Sequence, residues 1–169
     1  MFKPVDSKVN FPELEETILK WWENNEIPKK YMSRNESSKK RYSFIDGPIT
    51  ANNPMGVHHA WGRSYKDLFA RFRTIQGYKQ RYQNGFDGQG LWIEVEVEKE
   101  LGFSSKTDIE SYGVDKFVTL CKERVQRFSD VITKQSKQLA YWMHWDNSYH
   151  TMADNNNYTI WHFLKTCHE

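Results

Sequence analysis

At 169 residues, with 38% hydrophobic and 27% charged content, the chain is sized for one globular domain with a modest core and is not composed like a disordered or fibrous protein. A formal charge of only +2 excludes a global basic field for nucleic acid, though not a local patch. No stretch reaches the roughly 18 apolar residues of a membrane span, and MFKPVDSKVN has no apolar signal region, so a cytoplasmic, membrane-free protein is expected.

Taken in chain order, Asn10 is placed to cap a helix, with Pro12 in its first turn and Glu13, Glu15 and Glu16 favourable to its dipole. Phe11, Leu14, Ile18, Leu19 and Trp22 recur at helical spacing, and Pro28 is expected to end the helix. Trp21 and Trp22 read as packing residues. Residues 29–41, KKYMSRNESSKKR, read as a basic, solvated linker.

Tyr42 to Ile45 is aromatic and β-branched, as a short buried strand should be. Asp46-Gly47-Pro48 stops it, since Pro48 has no backbone donor. A loop through Thr50, Ala51, Asn52, Asn53, Pro54 and Gly56 leads to His58 and His59 at a helix start. That helix runs from about Ala60 to Ile75. Leu68, Phe69 and Phe72 are expected on its apolar face, and Arg63, Lys66, Asp67, Arg71 and Arg73 on its wet side. Gly77 closes it. Strand, small-residue loop and helix N-terminus can receive a phosphate, because free N–H groups and the helix dipole both favour an anion there. A plain strand-to-helix connection with two surface histidines fits the same residues.

A second strand follows from Lys79 to Asn84, with Tyr78 and Tyr82 as packing residues. Gly85-Phe86-Asp87-Gly88-Gln89-Gly90 then reads as a turn whose glycines let a ligand approach. The Asp87 carboxylate suits an ammonium or hydroxyl group, or it closes the loop on itself as an Asx turn. Leu91–Leu101 alternates apolar and acidic residues, and its Glu and Lys favour a helix over a strand. Gly102 ends it. Ser105 or Thr107 caps a short helix holding Ile109 and Tyr112. The longest helical pattern, about 115 to 142, presents Phe117, Leu120, Cys121, Val125, Phe128 and Ile132 as a cover for a sheet. Trp145-Asp146-Asn147 breaks it, and a last helix starts near Asp154. Cys121 and Cys167 form no CxxC pair and read as buried free thiols, with no zinc or other metal site.

The order of elements predicts an α/β fold, the first half of a Rossmann-like nucleotide-binding unit with parallel strands, preceded by a helix and linker over residues 1–40. Both loops would fall at the carboxyl ends of the strands, where such sheets bind ligands. No GxxxxGK[ST] is present, and Gly85, Gly88 and Gly90 are wrongly spaced for GxGxxG.

FIDGPITANNPMGVHHAWGRSYKDLFARFRTIQGY resembles the start of the class I aminoacyl-tRNA synthetases, in the branch for isoleucine, valine and leucine. NGFDGQGLWIEVEVEKELG and the later WDNSYHTM resemble the isoleucine enzymes in particular. The resemblance spans roughly residues 9 to 169 and makes 41–169 the first half of the catalytic domain. It implies ATP, entering with Mg2+, an amino acid (isoleucine) and tRNA as partners of a monomeric enzyme. It implies that His59, and with it His58, is catalytic, donating to ATP phosphates. Thr50, Asn52, Gly56, His58 and His59 would bind ATP. Gly47, Pro48, Asp87, Gln89 and Trp92 would border the amino acid, with Asp87 on its ammonium. The family's HIGH signature reads Gly56-Val57-His58-His59 here, so a His58 side chain is expected to crowd the adenine. Trp92 stands where the family has Pro and is expected to reshape the pocket. The family's KMSKS loop and anticodon-binding domain have no counterpart in these residues, so the 169-residue chain alone is expected to be inactive. Two other readings are a non-catalytic nucleotide- or tRNA-binding module derived from the fold, and a ligase for another amino acid.

Overall fold

A computed structural model describes residues 8–169. Helix α1, Phe11–Asn24, is capped by the Asn10 side chain, which accepts from the Glu13 N–H. The helix ends at Asn24, before Pro28. Glu26 adopts a left-handed conformation and Pro28 instead sits in the first turn of a new helix, α2, Ile27–Met32. The segment after it is not simply a solvated linker. The Asn35 amide donates to the Thr74 and Tyr78 carbonyls at 2.7 and 3.0 Å, and the Ser38 hydroxyl to the Gly77 carbonyl at 2.7 Å. These side chains bond carbonyls at and just beyond the end of the next helix and tie the segment to it.

Strand β1, Arg41–Ile45, pairs in parallel with β3, Lys79–Gln83, with Phe44 opposite Tyr82. Between them lie β2, Ile49–Thr50, and α3, Val57–Ile75. Gly85–Asp87, expected as the start of a turn, is a fourth strand, β4. It pairs in parallel with β2 on one side and with β5, Tyr149–His150, on the other. The fold is therefore the expected α/β arrangement with parallel strands. Each of the two principal strands is interrupted, β1 at Asp46–Pro48 and β3 at Asn84, so the described ladder falls into a two-stranded and a three-stranded part. Gly85 is required at this break. A Cβ there would stand 2.1 Å from the Tyr149 ring.

Helices α4, Leu91–Leu101, and α5, Lys106–Tyr112, follow β4, with Gly102 left-handed between them and Ser105 as the cap of α5. The long helix α6 runs Val114–Gln138, stopping short of the expected 142 because Ala140 takes a positive φ. It does cover the sheet. Ile49, Ala51, Phe86, Ile93, Val125 and Ile132 form one core between β2, β4, α4 and α6. Ala70, Tyr82, Tyr141 and Met143 form a second. Trp22 packs edge-on against Trp142 at 5.3 Å, as a packing residue should. Trp21, by contrast, is exposed, as are Phe11, Leu14 and Ile18. Cys167 is also exposed, on the last helix α7, Asp154–His168, because no residue of that helix is buried; Cys121 is half-buried.

The largest reversal concerns α3. Leu68, Phe69 and Phe72, expected to face the core, are exposed, and Arg63, expected in water, is 1% exposed. Lys66, Asp67 and Arg71 are half-buried. The helix turns its charged side inward because the sheet break offers charges to meet it.

Candidate functional site

The break between β1 and β2 places a carboxylate inside the protein. Asp46 is 1% exposed. Arg63 Nε donates to its Oδ2 at 3.0 Å, and Lys66 Nζ donates to its Oδ1. The remaining Arg63 donors reach Ser136 Oγ and Asn84 Oδ1, each at 2.6 Å. One guanidinium thus joins the end of β1, the end of β3 and the C-terminal turn of α6. Its five N–H donors in a planar fork suit this role. The Tyr149 hydroxyl adds a bond to the Asp46 carbonyl at 2.7 Å.

From this anchor the loop runs over residues 47–56. Gly47 and Pro48 are exposed. The Ala51 N–H donates to the Asp87 carbonyl at 3.0 Å. Asn52 gives its carbonyl, and Asn53 its side-chain oxygen, to Arg124 of α6 at 2.6 and 3.2 Å. The Met55 N–H donates to Gln135 Oε1 at 2.7 Å. The loop is therefore held to α6 along its length, and it delivers Gly56 to the start of α3.

There the Gly56 N–H donates to His59 Nδ1 at 3.1 Å. Nδ1 must accept, so the ring proton sits on Nε2. The cap fixes the tautomer and leaves Nε2–H as a donor on the first turn of α3, where the His59 and Ala60 N–H groups already donate to the Gly56 carbonyl and the N–H groups before them have no intrahelical acceptor. The His58 and His59 rings lie 3.9 Å apart. The exposed His58 ring folds over Gly56, where an added Cβ would meet it at 2.9 Å. Burial, then His58, then Arg63 hold His59 below its ordinary imidazole value of 6.5. The unfolded chain accordingly takes up the proton more readily than the folded one. Stability contributed by neutral His59 is present above 6.5 and is lost as pH falls through the lower folded value. An NMR titration of the His59 ring protons should give a midpoint under 6.5; a midpoint at or above that would contradict the capped, neutral ring.

A second polar group surrounds Asp87. Strand register sets Thr50 opposite it. Its carboxylate accepts from the Thr50 hydroxyl at 3.2 Å, the Thr151 hydroxyl at 3.4 Å and the Gln89 N–H at 3.1 Å. The last bond is the Asx turn, so the loop does close on its own backbone. Gln89 is exposed, and Trp92 is 67% exposed on the first turn of α4.

The structure thus brings Thr50 to Asp87, and Gly56 and His58 to His59, while Gly47, Pro48, Gln89 and Trp92 stand in solvent. No hydrogen bond joins the two polar groups among the described residues. A cavity of about 910 Å³ between α1, α2 and residues 142–147 is lined by none of them. Among the described residues no three His, Cys, Asp or Glu side chains converge to hold a metal ion. Arg63, Asn84, Ser136 and Thr151 were not legible as site-forming residues. Arg63, Asn84 and Thr151 lie within the three resembling blocks but carry no role there, and Ser136 falls at helical spacing with the apolar residues of α6.

A profile of the family described as tRNA synthetases class I (I, L, M and V) matches residues 17–169. An isoleucine–tRNA ligase of Dehalococcoides mccartyi is 41% identical over 165 residues, which are 98% of this chain and 16% of that protein. The isoleucine–tRNA ligase of Thermus thermophilus is also 41% identical, with the same shares covered. A LeuRS of Agrobacterium radiobacter, solved in a ternary complex with tRNA and LeuAMS, superposes with a TM-score of 0.59 at 18% identity over 84% of this chain and 16% of that one. The likeness to that structure concerns the fold alone. The chain spans about one-sixth of the length of the curated relatives it matches. Both the profile and the relatives' identity place the chain in the class I tRNA synthetase family.

Proposed function

We propose that this chain is the first part of the catalytic domain of an isoleucine–tRNA ligase, in which the amino-acid carboxylate attacks the α-phosphorus of ATP. A new phosphorus–oxygen bond forms, the bond to pyrophosphate breaks, and the aminoacyl-adenylate then passes its acyl group to a terminal hydroxyl of tRNA, releasing AMP. The observation that carries this reading is the capped His59. Its Nε2–H and the first turn of α3 offer preorganised donors to phosphate oxygens, whose charge shifts as pyrophosphate leaves. A neutral ring held in one tautomer donates without reorganising. In this reading Gly56, His58, Thr50 and Asn52 belong to the ATP side, with Mg2+ entering on the nucleotide's own phosphates. Asp87 takes the substrate ammonium by exchanging one hydroxyl contact for a charged one, and Gly47, Pro48, Gln89 and Trp92 border the amino acid. The relatives named isoleucine–tRNA ligase support the choice of amino acid. No side chain acts as a nucleophile, and positioning supplies the rate.

The test is a chimera in which this chain replaces the matching segment of the Thermus thermophilus enzyme. Isoleucine-dependent ATP–pyrophosphate exchange is expected. Its absence with every amino acid would remove the ligase reading, and exchange with a different amino acid would remove isoleucine. In the same chimera, Asp87→Ala should raise the amino-acid KM by about 100-fold, as loss of a charged hydrogen bond to the substrate costs about 2–3 kcal/mol. An unchanged KM takes Asp87 out of the amino-acid pocket.

A further inference from the structure

Arg124 of α6 carries a buried guanidinium, 6% exposed, held from two sides. On the α4 side it donates to the Glu100 carboxylate, and Glu96 stands 3.5 Å away. On the loop side Nη2 donates to the Asn52 carbonyl at 2.6 Å and to the Asn53 side-chain oxygen at 3.2 Å. The Phe128 ring lies against the guanidinium, with its centroid 4.7 Å from the central carbon. Nε is buried and has no acceptor among the described residues. A buried donor left unpaired costs stability, so stability alone does not account for this placement. Arg63 is the contrast, since its Nε and both terminal nitrogens are paired.

Past Ala51 the loop is tied to the body of the protein by α6. Arg124 grips Asn52 and Asn53, and Gln135, about 16 Å further along the helix, takes the Met55 N–H. Neither grip falls on Asp87, which is placed by the β2–β4 register and by the Thr50 and Thr151 hydroxyls. Glu96 and Glu100 lie on the helix that follows Asp87, so the guanidinium bridges the elements on either side of the candidate site. We infer that Arg124 is a positioning residue for the nucleotide. It takes its orientation from the two carboxylates of α4 and sets the path of the loop on which Asn52 and Gly56 stand. It thereby governs the affinity for ATP and not that for the amino acid. The inference rests on the assignment of this loop to the ATP side in the proposed function.

The test uses the Thermus chimera. Arg124→Met is expected to raise the KM for ATP about tenfold, as loss of a hydrogen bond to a charged group does, and to leave the KM for isoleucine within about twofold. Arg124→Lys should recover part of the loss, since an ammonium still donates to the Asn52 carbonyl. Asn53→Ala removes one acceptor at an exposed position, so the fold is not at risk, and should raise the ATP KM about threefold. It decides the matter should Arg124→Met fail to fold. Arg127→Met is the control. That guanidinium shares Glu100 at 3.2 Å but donates to no loop residue among those described, and both KM values should stay at the parent's. Hydrogen–deuterium exchange of the peptide spanning residues 51–56, read by mass spectrometry in the nucleotide-free chimera, should quicken about tenfold in Arg124→Met and not in Arg127→Met. Equal increases in the two KM values, or an ATP KM that stays put while the loop exchanges faster, would overturn the positioning role. A parent chimera without ATP–pyrophosphate exchange counts against the proposed function. Unchanged deuterium uptake by the loop in Arg124→Met counts against Arg124, whether or not the chimera is active.

Discussion

Arg63→Met is expected to cost the chain about 3–5 kcal/mol of folding stability, the usual loss when one partner of a buried ion pair is removed. The variant keeps the volume and apolar stem of the side chain. It leaves Asp46 with Lys66 as its only cation and strands Asn84 and Ser136 without their donor. All three partners are buried, so water cannot replace the guanidinium. Arg63→Lys should recover only part of the loss, since a single ammonium cannot reach three acceptors set around a planar fork. Urea unfolding followed by circular dichroism measures both. Lys29→Ala provides the contrast. Its partner Glu26 is an exposed neighbour one turn away, and its midpoint should not move. A midpoint for Arg63→Met indistinguishable from that control would mean that the cluster does not hold the sheet break together.

The second large effect belongs to His59. In the Thermus chimera, His59→Ala should slow adenylate formation by about 10²–10³-fold, the range for loss of one preorganised donor to developing charge. The amino-acid KM should change little, because Asp87 and Thr50 form a separate polar group with no bond to the ring. Pre-steady-state pyrophosphate release read against isoleucine concentration separates the two quantities. Equal losses in rate and in amino-acid affinity would argue that His59 shapes the loop and does not assist the reaction. His59→Asn bears on the same point. Its amide oxygen can accept the Gly56 N–H as a cap, yet its own N–H cannot reach as far as Nε2, so the fold should recover while the rate does not.

Much of the fold was legible because local chemistry and tertiary context agree. Leu91–Leu101 is helical, as its Glu and Lys favour, and Gly102 ends it in the left-handed region. Ser105 caps α5, and the strand at Arg41–Ile45 stops at Asp46. Reading failed where charge is buried. Periodicity assigns apolar residues inward, and α3 reverses this because Asp46 draws Arg63 and Lys66 to its buried side. Pro28 differs for a separate reason: α1 has already ended at Asn24, and Pro28 stands in the first turn of α2 after the left-handed Glu26. The histidine cap lies in the sequence only as adjacent letters, and the Gly56 bond that fixes its tautomer is a matter of three-dimensional proximity. Asp87 adopts the Asx turn that its neighbours allow, with one carboxylate oxygen on the Gln89 N–H and the other on the Thr50 hydroxyl.

The all-parallel pairing also constrains synthesis. An antiparallel hairpin can form as soon as its turn leaves the ribosome, but parallel strands must wait for a crossover. Here β1 has no partner until Lys79–Gln83 has been made, and the outer edge of β4 stays open until Tyr149–His150 arrives. Throughout that interval the nascent chain carries unpaired strand edges together with the aromatic side of α3. Such species are the ones that chaperones capture and that aggregate when the chain is overproduced. The Asp46–Arg63 pair, formed within a single crossover, is a contact available early enough to hold α3 in register while the later strands emerge.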